Sequence, residues 1–196
     1  MRDAAAFEAA LRRYAVEHPR EQATVRRFVD LLDHGPAAFH RDHLPGHFVA
    51  SALVLDRDLT RVLLTHHRKL GIWIQLGGHV DGDLDLRRAA QREAVEESGL
   101  ANIVLAGPSI VDVDIHRIPP HGGDPAHEHY DVRFAFFADP RGRLVVSDES
   151  HDLAWVPVEQ LGEYSREESL RRAVRKALHV LPAPVAPGNR DSPRRG

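Results

Sequence analysis

Three glutamates, Glu93, Glu96 and Glu97, stand three and four residues apart in the run Arg92-Glu93-Ala94-Val95-Glu96-Glu97-Ser98-Gly99-Leu100. On a helix that spacing puts all three carboxylates on one face. Like charges so placed repel, by on the order of tenths of a kcal/mol per pair. They also sit toward the helix C-terminus, where the backbone dipole disfavours anions. A hard divalent cation turns the penalty into a site, because Mg²⁺ takes carboxylate oxygens, water and substrate phosphate. A solvated acidic face is the other reading of the same three residues. Gly77-Gly78, just upstream, lets backbone groups approach an ion or a phosphate closely. Arg92 is placed to hold the neighbouring Glu93 in its ionised form.

The elements that must position these groups are legible from periodicity. A short strand over Ile72–Leu76 leads into the glycine pair, and Asp85 opens a helix that ends at Gly99, a left-handed cap. Phe48–Leu55 and Arg61–Thr65 read as strands joined by a turn at Asp56-Arg57-Asp58. Further strands are expected at Ile103–Leu105, Ser109–His116, Tyr130–Ala138 and Leu153–Val156, with a loop over 118–128 and a last helix over 166–178. Residues 3–33 have the spacing of two helices, broken at His18-Pro19 and stopped by Gly35-Pro36. The expected class is α+β, an α/β/α sandwich around a mixed sheet. The divisions are a helical extension over 1–36, a main domain over 37–181 and a disordered, Pro-rich tail over 182–196. An amphipathic helical pair must bury its apolar face, as a lid or in a homodimer contact.

Composition narrows the class. The chain has 196 residues, a net charge of −3 and no cysteine, which excludes disulfide scaffolds, thiolate metal sites and thiol nucleophiles. The balanced charge and the few aromatics argue against nucleic acid as partner. With no secretory signal and no long apolar run, a membrane partner is not expected, and a cytoplasmic location is. Gly-x-Gly-x-x-Gly and P-loop motifs are absent, and the Ser150-His151 pair lacks a nucleophile turn.

Residues 78–100 resemble the Nudix box, with Gly78, Arg92, Glu93, Glu96, Glu97, Gly99 and Leu100 in register; the likeness extends over about 46–165. Two positions depart from the pattern: Leu84 stands where a glutamate is usual, and Ala94 where a bulkier aliphatic is. The resemblance implies a metal-dependent hydrolase of nucleoside diphosphates linked to another moiety, or of similar small diphosphates. It implies that Glu93, Glu96 and Glu97, with the Gly77 carbonyl, bind Mg²⁺ or Mn²⁺, and that Arg92 orients them. With Leu84 in place of the usual partner, Arg92 is left Asp83 or Asp85. The resemblance also implies that one of the three glutamates, or an acid beyond the box, activates the attacking water; Glu128, Asp139 and Glu149 are the candidates beyond it, with Glu149 preferred. His66-His67-Arg68-Lys69 offers positive charge for a phosphate or is a plain turn, and Trp73 and Tyr130 either stack on a base or pack in the core.

Fourteen histidines are an unusual number. Base composition is one explanation, since arginine outnumbers lysine 24 to 2. A second resemblance is to isopentenyl-diphosphate isomerases, Nudix-fold enzymes with a histidine-rich metal site. His40 and His47 precede the first sheet strand, His79 follows Gly78, and His129 and Asp131 enter a late strand. That constellation, with His127 nearby, implies a second transition-metal site, since imidazole suits Zn²⁺, Mn²⁺ or Fe²⁺ better than Mg²⁺. Gly77 replaces the cysteine of the isomerases, which removes an acid–base partner. A non-catalytic nucleotide- or sugar-phosphate-binding module is the third reading, and the intact glutamate set argues against it.

Overall fold

The protein is described here by a computed structural model covering residues 4–107, 109–120, 123 and 125–182. Helices α1 (Ala4–Glu17) and α2 (Gln22–Leu32) are followed by strands β1 (Gly46–Leu55), β2 (Arg61–His67), β3 (Ile72–Ile74) and β4 (Leu76–His79). Helix α3 (Leu86–Ser98) leads to β5 (Val104–Leu105), β6 (Asp112–Ile118), β7 (His127–Phe137) and β8 (Ser150–Pro157). Helices α4 (Leu161–Tyr164) and α5 (Glu168–Val180) close the described chain.

β1 is the axis of the sheet. Along one edge it pairs in parallel with β7 from Gly46↔Glu128 to Leu55↔Phe137. Its other edge is divided: Val54 and Leu55 pair with β2, while Val49 to Ala52 pair with β4. β2 continues to β3 and β8, and β7 to β5 and β6, all antiparallel. The segment expected as one strand over 72–76 is therefore two strands with different partners, and the chain changes neighbour at Gln75. β7 starts at His127, so part of the expected loop over 118–128 belongs to the sheet.

Alternation along β1 and β7 divides the core in two. Phe48, Ala50, Ala52, Tyr130, Val132, Phe134 and Phe136 face α1, α2 and the alanine-rich side of α3. Leu53, Leu55 and Ala135 face the other way, onto Leu170, Ala173, Val174 and Ala177 of α5. The result is a mixed sheet between helical layers.

The N-terminal helices bury their apolar face against this chain's own sheet. Phe7, Leu11 and Phe28 are fully buried, and the Phe7 ring meets Phe48 edge-on at 5.2 Å and Phe39 at 6.3 Å. A buried ionic group ties the two ends of the described chain. Lys176 of α5 donates to Tyr14 Oη at 2.6 Å, Glu21 at 2.5 Å and Asp112 at 2.6 Å. Beside it Arg133 bonds Asp131 at 2.7 Å and Asp112 at 3.3 Å. Among the described residues no helix is long and apolar enough to cross a membrane. The tail expected to be disordered lies, from residue 183, outside the described residues.

Candidate functional site

Helix α3 holds its glutamates in unequal surroundings. Glu97 is buried beneath the glycine pair, and its Oε2 has no hydrogen-bond partner. Burial pushes its carboxyl up to about 8; Glu93 and Glu149 push the same way, and a hydrogen bond from the Gly77 backbone opposes them. Glu93 is half-buried, and burial raises its pKa as well, opposed by Arg92 and reinforced by Glu96 and Glu149. Glu96 is exposed.

The two glycines do different jobs. Gly77 has φ +149°, and a Cβ there would lie 2.6 Å from the Cα of Ser51 on β1. A Cβ on Gly78 would lie 2.6 Å from Glu93 Oε2. The first glycine lets the strand lie flat on β1, and the second leaves the volume in which the Glu93 carboxylate sits.

Arg92 takes neither Asp83 nor Asp85. Its guanidinium lies 2.6 Å from Glu93, 3.5 Å from Glu96 and donates to the His79 carbonyl at 3.0 Å. Asp83 is occupied by Arg88 at 2.7 Å, and Arg87 lies 3.6 Å from Asp85. Leu84, at the position where the box has a glutamate, packs on the core instead.

Of the three acids weighed as a base, only Glu149 acts electrostatically on both Glu93 and Glu97. Glu128 is bound by Arg27 at 2.6 Å, and Asp139 by Arg141 at 2.8 Å. Glu149 is held by its backbone. Its carbonyl accepts the Arg68 amide at 2.8 Å, and the Arg68 guanidinium donates to the carbonyls of Asp148 and Ser150 at 2.8 and 2.9 Å. Arg68 thus anchors the turn that carries Glu149. Arg41 was missed in the sequence. It is exposed, pairs with Asp81 at 2.7 Å, and feels the charges of both Glu93 and Glu149. Tyr130 packs in the core against Phe28, whereas half-buried Trp73 stacks on His66 at 5.1 Å.

The histidine constellation forms only in part. His47, His79 and His129 come together, with ring centroids 4.9–5.2 Å apart. His127 joins them, 5.1 Å from His47 and 5.2 Å from His129. His40 does not; its ring is exposed and lies against Gly82. Asp131 is buried; its Oδ2 is engaged by Arg133 at 2.7 Å, and its Oδ1 has no hydrogen-bond partner. The sequence signal for His127 was present: His127 and His129 alternate on one strand and so share a face.

A hard divalent cation fits the carboxylate site. The donors are oxygens, Glu97 is ionisable but buried without a counter-charge, and one of its oxygens is unpartnered.

The NUDIX domain family matches residues 46–178. Among solved structures, MutT from Methanosarcina mazei Go1 is similar at a TM-score of 0.54 and 18% identity, covering 69% of this chain and 95% of that one. The E. coli dihydroneopterin triphosphate pyrophosphohydrolase gives 0.52 and 17%, covering 66% and 92%. The Nudix hydrolase RenU from M. smegmatis gives 0.52 and 20%, covering 69% and 86%. A search of curated proteins finds no match. With the family matching over two thirds of its length, on a helix and glycine pair arranged as described, the chain belongs to the Nudix hydrolase family.

Proposed function

We propose that this member is a Mg²⁺- or Mn²⁺-dependent pyrophosphohydrolase that cleaves the diphosphate linkage of a nucleoside diphosphate derivative, or a similar small diphosphate, by water attack on phosphorus. The observation that carries the reading is the buried, unpartnered carboxylate oxygen of Glu97 beside Glu93, with the charge of Glu149 acting on both. Three carboxylates held together this way are unfavourable in isolation and favourable around a cation. Glu93 and Glu97 would hold the metal, with Glu96 and the Gly77 carbonyl completing the set. When bound, the cation supplies charge neutralisation and orientation of the diphosphate.

The chain's own groups do the rest. Arg92 fixes Glu93 in its ionised rotamer and ties it to the His79 carbonyl, so the ligand helix and the glycine strand keep one spacing. Glu149 is the general base; on a turn pinned by Arg68, its carboxylate takes the proton of the attacking water. Arg41, exposed and within electrostatic reach of Glu93 and Glu149, would offer a cation to the substrate phosphates, and Asp81 holds it in position.

The test is a phosphate-release panel of nucleoside diphosphate derivatives and isopentenyl diphosphate, with Mg²⁺, with Mn²⁺ and with chelator. Metal-dependent release, reduced roughly 10²–10⁴-fold in Glu149→Gln, is the expected result. Silence of the folded, metal-loaded protein across the panel would overturn the hydrolase reading. Full activity in Glu149→Gln would remove only the base assignment.

A further inference from the structure

The histidines on the opposite side of the glycine strand have no part in the proposed hydrolysis. They occupy the face of the sheet that α5 covers further along, since His47 and His129 lie in the alternation of Leu53 and Ala135. Register assembles them. His47 on β1 is the cross-strand partner of His129 on β7, and His116 on β6 is the partner of His129 on its other edge. His127 stands two residues before His129 on the same strand. His79 on β4 pairs with Val49, two residues along β1 from His47.

The hydrogen bonds decide which nitrogens carry protons. A carbonyl oxygen only accepts, so each ring nitrogen facing one must be N–H. His127 Nδ1 lies 3.0 Å from the Pro125 carbonyl, and His47 Nδ1 lies 3.4 Å from the His43 carbonyl. In the neutral ring both residues therefore present Nε2 as a lone pair. His47 is 1% exposed, and its Nε2 has no partner at all. The Nε2 atoms of His127 and His129 face each other at 3.3 Å.

One ligand nitrogen from each of His47, His127 and His129 lies within 4.8 Å of the other two. Nitrogens bound to a tetrahedral Zn²⁺ at 2.0–2.1 Å stand about 3.3 Å apart. The His127–His129 pair already has that separation, and His47 offers a nitrogen within 4.8 Å of both. The carbonyls behind Nδ1 of His47 and His127 are the second layer that orients metal-binding imidazoles.

We propose that His47, His127 and His129 bind a divalent transition ion of the Zn²⁺ class, separately from the Mg²⁺ site on α3, with the His79 ring beside His47 and His129. A purely nitrogen donor set selects Zn²⁺ or Co²⁺ over Mg²⁺. The two sites are separated by the single strand β4: Gly78 touches Glu93 on one side, and the His79 ring meets His47 and His129 on the other. The proposal stands or falls independently of the hydrolase reading.

The test strips the purified full-length protein with chelator, reloads it with Zn²⁺, exchanges the buffer and counts metal by elemental analysis. One Zn²⁺ per chain is expected to survive. It should be lost in His127→Ala, whose side chain is at the strand end and half-buried, and kept in Glu93→Gln. Co²⁺ substitution of the wild type reads the ligands without any variant, since tetrahedral nitrogen ligation gives strong visible bands and oxygen ligation a pale spectrum. No retained Zn²⁺, retention undiminished in a folded His127→Ala, loss in Glu93→Gln, or a pale Co²⁺ spectrum would each overturn the proposal.

Discussion

Glu97→Gln tests the reasoning about the carboxylate site without any knowledge of substrate. In metal-free protein the Glu97 carboxyl is raised from 4.5 to about 8. At about 1.4 kcal/mol per unit, ionising it inside the fold costs on the order of 4–5 kcal/mol more than ionising it in the unfolded chain. The sign follows from linkage. A group whose folded pKa lies above its unfolded value contributes stability below the lower pKa and loses it as pH rises through the higher one. Wild-type protein in chelator should thus lose roughly 4 kcal/mol relative to Glu97→Gln between pH 5 and pH 9, most of it by pH 8. Urea denaturation of both proteins across that range measures the difference directly. Adding Mg²⁺ at pH 8–9 should restore the wild type and leave the glutamine variant unmoved, because a ligand that binds only the folded state stabilises it. Parallel pH profiles for the two proteins in chelator would refute the argument that the burial of Glu97 outweighs its hydrogen bond from Gly77.

Adjacent glycines should respond differently to a methyl group. Gly78→Ala presses on a carboxylate that can swing, so we expect stability within about 1 kcal/mol and Mg²⁺-dependent turnover at least about tenfold lower. Gly77→Ala meets the Ser51 backbone at positive φ, and its loss should appear in the melting curve first. Phe7→Ala should cost about 3–5 kcal/mol, measurable in urea; a loss below about 1 kcal/mol would mean that α1 is not part of the core. On the acid side, burial lowers His79 to about 4 and His129 to about 2. Their stabilisation is present above 6.5 and fades as pH falls. Metal-free protein should lose about 2 kcal/mol per histidine between pH 7.5 and 5, with a shallower slope in His79→Gln.

The carboxylate half of the site is readable in the chain because it is local. Glu93, Glu96 and Glu97 share one helix, and Gly77-Gly78 precedes it, so helical spacing and a glycine pair suffice. The histidine group is not local. His47 meets His129 only because β1 and β7 run parallel in one register, and a shift of a single residue would send His129 to the other face. The resemblance therefore also brought in His40, which lies against Gly82 and away from the other rings. Arg92 was matched to Glu93 in the sequence, but its second partner was hidden for a similar reason: a backbone carbonyl, that of His79, has no signature in sequence. The break between β3 and β4 depends on which neighbour each half finds, and an apolar run does not carry that information.

The pairing of β1 with β7 also bears on how the chain is made. Residues 46–55 leave the ribosome long before residues 127–137, and until then the central strand has one edge unpaired and hydrophobic on both faces. The ionic contact of Lys176 with Tyr14 and Glu21 adds a still longer delay for the first two helices. A nascent chain halted between these points holds an incomplete sheet, so synthesis should be followed by a late, concerted closure and not by helix-by-helix accretion. Fragments ending before residue 127 are accordingly expected to recruit chaperones or aggregate, and the contacts that complete the sheet are made nearly last.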